Sequence, residues 1–246
     1  MNATDIIEHY RHFNRVYPND IHFFNHGYYP TEPDFESDFY NASQLTFYHH
    51  LVKDIKTKGL KILDIGCGRG GGPDLFQNYS YDFDEVHGID ISPENIEFAK
   101  KNVSGVHFNV MDACNLLYGN NYFDIITCAE SSHCYHDMPA FLQEVRRVLK
   151  PDGTFILTDN NLSLEKYIDM RECQYRYILR EDITENVMKA SQNDMEKFST
   201  IQDEKIKGIL LLIAQKSSFN YQTRFYNYIK YTCSNSRSIY KDNNND

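Results

Sequence analysis

Between Leu60 and Thr158 short apolar runs recur along the chain: "LKILDI", "EVHGIDI", "VHFNV", "YFDIITCA" and "GTFILTD". Helical segments lie between them, beginning near Pro73, Pro93 and Pro139. Each has its proline at or near a first turn, where the missing N–H does no harm. Such alternation predicts a parallel sheet with helices on both faces. Beyond Asn160 the pattern lengthens into helical stretches from Leu162 to Gln174 and from Thr184 to Lys216, with strand runs "YRYILR" before the longer stretch and "YNYIKYTC" after it. An insertion between the last two strands of a sheet is free to act as a lid. The chain opens on a helical pattern (Ile6, Ile7, Tyr10, Phe13), continues into the loop-like "NDIHFFNHGYYPTEPDF", and ends on the polar "KDNNND". The expected organisation is an N-terminal cap segment over residues 1–57 and an α/β domain over 58–235. A helical lid over about 184–224 and a disordered tail over 236–246 complete it.

Composition narrows the partners. The 246 residues suit one domain with decoration. The net charge is −10 with a sequence pI near 5.4. No block of Lys and Arg offers the footprint that a phosphate backbone requires, so a nucleic-acid partner is not expected. Cys67, Cys114, Cys128, Cys134, Cys173 and Cys233 show no C-x-x-C pair. That scatter fits reduced thiols and a cytoplasmic location. The longest apolar run, "GILLLIA", is too short to span a bilayer, and no targeting segment is visible, so stable membrane insertion is not expected.

The stretch "KILDIGCGRGGG" carries five glycines directly after a strand. In an open parallel sheet ligands bind beyond the carboxyl ends of the strands. Gly66 and Gly68 allow close backbone approach and positive φ. The turn fits G-x-G-x-x-G, which dinucleotide sites share. Its companions are acids: Asp64 in the last turn of the strand, Asp90 ending "GID", and Asp112 in "NVMDACN". A buried acid asks for a partner, and a cationic ammonium would serve Asp64. Asp90 is placed for two ribose hydroxyls, and Asp112 for an adenine amino group. Each acid alone also reads as the N-cap of a following helix.

With "VHGIDIS", "MDACNL", "YFDIITCAESSHCY" and "RRVLKPDGTFILTD", this stretch resembles the successive motifs of the class I S-adenosylmethionine-dependent methyltransferases. "ESSHCY" and "EDITENVMKA" are similar to a branch of small-molecule O-methyltransferases that includes the mycobacterial phthiotriolone type and polyketide-tailoring enzymes. The resemblance covers about Asn25 to Ser234. It implies a doubly wound, mostly parallel seven-stranded α/β sheet of Rossmann-like type, with the last strand antiparallel and a helical lid before it. It also implies S-adenosyl-L-methionine as cofactor. Asp64, Gly66 and Gly68 would surround its methionine end, Asp90 and Ile91 its ribose, and Asp112 and Ala113 its adenine. Cys67, Glu130 and Tyr28 complete the expected cofactor set. An acid-rich turn suits a sulfonium and an ammonium, whereas a pyrophosphate would prefer the opposite charge; dinucleotide oxidoreduction is the alternative.

The chemistry turns on "ESSHCYHD". Methylation of a hydroxyl needs an oxygen aligned with the S–CH3 bond and a group to take its proton. His133, just after the fourth strand, is the candidate base, and Asp159, ending the fifth, is placed to hold its tautomer. In related sugar O-methyltransferases two adjacent histidines stand here; the first matches His133, while the second position is Cys134. Glu130, His133, Cys134, His136 and Asp137 lack zinc-knuckle spacing and would come from one loop, so no metal is expected. Asn25, His26 and Tyr28 belong to a segment that the family places over the cofactor. Phe219, Tyr221, Phe225, Tyr226 and Tyr228 suit an apolar or aromatic small-molecule acceptor. The reading is therefore a methyltransferase acting on a hydroxyl of a small lipid-like, polyketide or phenolic molecule. C- or N-methylation, or cofactor binding without turnover, stands as the alternative.

Overall fold

The computed structural model describes residues 3–16, 22–30, 42–79, 81–159, 176–199, 207 and 227–232. Helices α1 (Ala3–Val16) and α2 (Ala42–Val52) precede the alternating part: β1 (Lys61–Ile65), α3 (Gly71–Asn78), β2 (Glu85–Asp90), α4 (Pro93–Asn102) and β3 (His107–Val110). There follow β4 (Phe123–Ala129), α5 (Met138–Val148), β5 (Leu149–Asp159), β6 (Arg176–Asp182), α6 (Thr184–Ser199) and β7 (Asn227–Thr232). One sheet collects the strands in the order β3-β2-β1-β4-β5-β7-β6. β1 to β5 pair in parallel, and β7 runs antiparallel to both β5 and β6.

Every strand run read from the apolar pattern forms a strand, and each proline-marked segment forms a helix. β5 begins earlier than its apolar run, at Leu149, and its register against β4 shifts between Phe123 and Ile125. Helix α2 had no counterpart in the sequence reading. Of the expected lid, α6 is described as far as Ser199. The rest of that stretch, apart from Lys207, lies outside the described residues, as do the helix expected over 162–174, the aromatics from Phe219 to Tyr226 and the tail.

Strand parity sorts the core. In β1, Leu63 and Ile65 join Ile126, Cys128, Phe155 and Leu157 on the face covered by α5. Ile62 joins Val86, Ile125 and Ile156 on the opposite face, under Phe47 and Leu51 of α2, Leu75 and Phe76 of α3, and Val187 of α6. Both faces are covered, which explains why the central runs are apolar throughout rather than alternating. Helix α5 buries Phe141, Leu142, Val145 and Val148, one stripe at helical spacing. Asp137 caps it by accepting from Ala140 N at 2.9 Å, and Ser92 caps α4 by accepting from Asn95 N at 3.3 Å.

Helix α1 is tied to α4 and to the glycine turn by polar contacts. Arg11 Nε donates to Glu94 at 2.7 Å, and Asn14 Nδ2 donates to Asn95 Oδ1 at 2.7 Å. Arg69 Nε donates to Asn14 Oδ1 at 2.9 Å. Arg69 itself is 1% exposed, its guanidinium 4.5 Å from the Phe98 ring centroid and 5.5 Å from that of Phe24. Two aromatic faces and an amide oxygen thus replace the water that a buried cation loses.

Phe123 is fully buried where β4 begins, its ring edge-on to Tyr118 at 4.8 Å and to Tyr122 at 4.9 Å. Phe123→Ala should lower unfolding stability by about 3–5 kcal/mol through lost burial and the cavity left behind. Urea denaturation should register this as a lower midpoint at unchanged slope.

Candidate functional site

The strand order reverses between β1 and β4, and a cavity of about 180 Å³ opens at that point beyond the carboxyl ends of the strands. Its floor is the glycine turn, which is docked onto the end of β2. Gly66 N and Cys67 N both donate to Ile89 O, at 2.8 and 2.9 Å, and Gly68 N donates to the Asp90 carboxylate at 3.0 Å. Gly70 N closes the turn on Cys67 O at 3.0 Å. These amides therefore already serve protein acceptors and do not form the array of free N–H groups that cradles a phosphate. The glycines answer to packing as well as to ligand approach. At Gly66, with φ +75°, a Cβ would stand 2.4 Å from Ser131 Oγ; at Gly72 it would stand 2.2 Å from the Tyr48 ring.

The acids are treated differently by their surroundings. Asp90 is 6% exposed and lines the cavity. Oδ1 accepts from Ser92 N and Asn95 Nδ2, and Oδ2 from Gly68 N. Burial pushes its pKa up, and these bonds oppose the shift. Asp112 lines the cavity at the end of β3, with Oδ1 accepting from Cys114 N at 2.8 Å; Ile91 and Ala113 lie beside these acids in the wall. Asp64 departs from the expectation. Strand parity turns it to the α2 side of the sheet, outside the cavity lining, where Thr127 Oγ1 donates at 2.7 Å and Tyr48 OH at 3.2 Å. Burial, against those two bonds, carries its pKa to about 7. The partners of this acid are hydroxyls of the protein.

The loop after β4 supplies the opposite wall, with Glu130, Ser131, His133, Cys134, Tyr135 and His136. Glu130 adopts the left-handed backbone region at φ +51°, pinned by its N–H to Thr158 O at 2.8 Å. Its Oε2 accepts from His26 N at 2.7 Å, while Oε1 is buried with no hydrogen-bond partner. Burial first, then the nearby Asp159 charge, lifts its pKa to about 8 against the pull of the His26 amide and of His133.

A single 3-10 turn, Ser132–Cys134, brings His133 over the end of β5. His133 Nδ1 lies 2.9 Å from Asp159 Oδ1. Asp159 Oδ2 accepts from Ser132 Oγ at 2.5 Å and from His133 N at 3.0 Å. The carboxylate is wholly buried, whereas the imidazole is 37% exposed. Burial alone would lower the His133 pKa, but the bond and charge of Asp159, with a contribution from Cys134, raise it to about 11. Burial likewise works to raise Asp159, and His133 and Ser132 hold it below the ordinary carboxylate value. Each partner thus favours the charged form of the other, with Nδ1 committed to Asp159 and Cys134 also beside the ring.

The segment before α2 closes the cavity with Phe23, Phe24, Asn25 and His26. Asn25 Oδ1 accepts from Gly27 N at 3.0 Å, and Asn25 Nδ2 is buried without a partner. Burial and the His133 charge push His26 down to about 4, so it is neutral beside the cationic His133. Tyr28 departs from its expected place. It is 5% exposed in the core, stacked on His50 at 4.2 Å, and is not part of the lining. Tyr10 of α1 and Tyr48 of α2 do line the cavity. Sequence reasoning missed both, because Tyr10 fits an apolar helical stripe and α2 itself had not been anticipated.

The match to known proteins agrees with this geometry. Residues 56–231 match the model of a family described as a methyltransferase domain. A phthiotriol/phenolphthiotriol dimycocerosates methyltransferase of Mycobacterium leprae is 28% identical over 179 residues, covering 71% of this chain and 66% of that protein. A fatty-acid O-methyltransferase of Mycolicibacterium smegmatis is 34% identical over 155 residues, covering 59% of this chain and 55% of that protein. The matched regions thus span just under two thirds and little over half of these relatives. Among solved structures, a geranyl diphosphate C-methyltransferase from Streptomyces coelicolor A3(2), crystallised with S-adenosyl-L-homocysteine, superposes with a TM-score of 0.65. At 15% identity it covers 94% of this chain and 97% of that one, a likeness of fold. With its sheet order, its docked glycine turn and a family match that runs from before β1 into β7, this chain belongs to the methyltransferase domain family.

Proposed function

We propose that the chain is an S-adenosylmethionine-dependent methyltransferase that methylates an oxygen of a small lipid-like, polyketide or phenolic acceptor. The observation that carries this reading is the His133–Asp159 pair, set across one cavity from Asp90 and the glycine turn. Family membership and the activities for which the two mycobacterial relatives are named support it.

The residues present suit this cofactor. Two orphaned buried atoms in the lining, the acceptor Glu130 Oε1 and the donor Asn25 Nδ2, match the ammonium and carboxylate of a methionine end. Asp90 and Ile91 would hold the ribose diol, and Asp112 with Ala113 the adenine edge. Gly66, Cys67 and Gly68 would supply a close floor, and Asp64 would hold the turn in place through Tyr48 and Thr127. When bound, S-adenosylmethionine supplies a methyl group activated by a sulfonium. Phe23, Phe24, Tyr10 and Tyr135 exclude water from that region.

His133 acts on the acceptor side. Asp159 fixes the proton on Nδ1, so that Nε2, once neutral, is the atom that takes a hydroxyl proton. The resting imidazolium must first release its own Nε2 proton. A second cation seated in the cavity favours that release by repulsion.

The same imidazolium supports a second reading of the acceptor. A carboxylate oxygen needs no base, and a cationic His133 would orient it through an Nε2–H bond. The acceptor group named for the M. smegmatis relative is of this kind. pH separates the two. For a hydroxyl acceptor the rate should rise about tenfold per pH unit below the His133 pKa, because the neutral form is required. With a carboxylate acceptor it should be flat at neutral pH and fall as the imidazolium is lost. Asp159→Asn lowers the His133 pKa, and should move the rising limb toward acid in the first case and the falling limb toward acid in the second.

His133→Ala should reduce kcat on a hydroxyl acceptor by about 10²–10⁴ while S-adenosylhomocysteine affinity stays near wild type. Transfer of labelled methyl to hydroxylated lipids, phenols and fatty acids measures this directly, and wild-type turnover in the variant would remove His133 from the chemistry.

Calorimetry should show S-adenosylhomocysteine binding in preference to NAD. Asp90→Ala should weaken it at least about tenfold, since charge-assisted hydrogen bonds are worth about 1.5–3 kcal/mol each.

Glu130→Gln should weaken cofactor binding yet stabilise the ligand-free protein. With its folded pKa near 8, Glu130 disfavours the folded state as pH rises above the ordinary carboxylate value, and the penalty is full above pH 8. The variant should melt above wild type at pH 8.5, with little difference at pH 4; equal melting at both pH values would show that Glu130 Oε1 is not an unpaired buried acid.

A further inference from the structure

The loops that follow β3 and β4 meet at the rim of the cavity. There Asp112, Cys114 and His136 each bring one ligand atom to within 4.8 Å of the other two. Spacing along the chain gave no hint of this, because the third member comes from a different loop. Cys114 Sγ stands 4.0 Å from His136 Nδ1, and Cys114 N holds Asp112 Oδ1 beside it at 2.8 Å. Asp112 and Cys114 are half-buried and His136 is exposed, so solvent ions reach them. In a tetrahedral zinc site, with bonds of about 2.0–2.3 Å, neighbouring ligand atoms stand roughly 3.5 Å apart. The group needs to close by up to about 1.3 Å. Cys114 Sγ now donates to Asp137 O at 3.3 Å, a weak bond that a metal would displace.

We propose that Asp112, Cys114 and His136 form a three-ligand site for a zinc-class divalent cation at the rim of the cofactor cavity, and that its occupancy excludes the cofactor. The donor set decides the metal. One thiolate, one imidazole and one carboxylate suit zinc or cobalt, while magnesium and calcium seek oxygen alone. Thiolate and carboxylate together carry two negative charges, which a divalent ion neutralises, and the fourth position stays open to water. This loop cluster differs from the set around His133, which gave no metal expectation, in recruiting the loop after β3. Exclusion follows from Asp112 and rests on the adenine contact proposed above. With Oδ1 held by Cys114 N, Oδ2 is the oxygen left for either an amino group or a cation.

The test uses the full untagged chain, reduced and stripped of metal. Cobalt(II) titration should produce a thiolate-to-cobalt charge-transfer band in the near ultraviolet, bleached by an equivalent of zinc. Cys114→Ser should abolish it. His136→Ala, an exposed position that leaves the core untouched, should weaken zinc by at least the about 10–100-fold that losing even an outer-shell partner costs. No band, or a band unchanged in Cys114→Ser, overturns the site whatever the cofactor does. Calorimetry with S-adenosylhomocysteine should then show affinity reduced at least tenfold by saturating zinc in the wild type and unaffected by zinc in Cys114→Ser. Zinc binding with unchanged S-adenosylhomocysteine affinity overturns the exclusion. Failure of S-adenosylhomocysteine to bind without metal would instead count against the cofactor reading itself.

Discussion

The docking of the glycine turn onto β2 is the constraint from which the rest of the site follows. Three consecutive amides, Gly66, Cys67 and Gly68, are spent on Ile89 O and the Asp90 carboxylate. That brings the end of β1, the start of α3 and the acid of β2 into one rigid corner. Gly66 and Gly72 have no room for a Cβ, since Ser131 crowds the first from the β4 loop and Tyr48 the second from α2. The same bonds decide its chemistry. A turn whose amides are satisfied internally and whose nearest charge is a carboxylate has little to give a pyrophosphate and suits a cationic group.

A chain with net charge −10 that buries Asp64, Asp90 and Asp159 and half-buries Glu130 around one corner must settle each of them separately. Asp90 is settled by two backbone amides and Asn95, and Asp64 by two hydroxyls. Asp159 is settled by an imidazolium, which leaves both partners shifted toward their charged forms. Glu130 keeps one oxygen unsatisfied. Desolvation has the largest effect on all four, and what separates them is the donor each finds. An unsatisfied carboxyl oxygen on a residue in the left-handed backbone region is costly to the fold.

Helix α1 joins this corner from outside. Asn14 accepts from Arg69 and donates to Asn95, and Asn95 donates to Asp90, so a continuous polar chain runs from the N-terminal helix to the acid of β2. Tyr10 on the same helix enters the cavity. Its hydroxyl lies among Cys134, Asp90 and Asp159, and burial followed by those neighbours pushes its pKa well up. The N-terminal helix is thereby part of the wall of the site.

Much of this was legible along the chain. Apolar runs of strand length separated by proline-started helices are local signals, and they marked β1 to β5 and the intervening helices. The positions of Gly66, Asp90, Asp112 and His133 beyond strand ends followed from them, because a parallel sheet gathers its carboxyl ends on one side. Pairing of His133 with Asp159 was also readable, since β4 and β5 are neighbours. What the chain alone did not reveal depends on facing and on contact between distant segments. Strand parity turned Asp64 away from the cavity, and stacking on His50 took Tyr28 into the core. The hydrogen bond and charge of Asp159, outweighing burial, lifted the His133 pKa to about 11. Two loops separated in sequence set Cys114 beside His136. Sequence periodicity determined which elements form and at which edge their ends gather, because those are properties of local backbone and burial pattern. Tertiary packing alone decided which acid faces the cavity and which charge each group carries, because desolvation and hydrogen-bond partners exist only once the chain has closed around them.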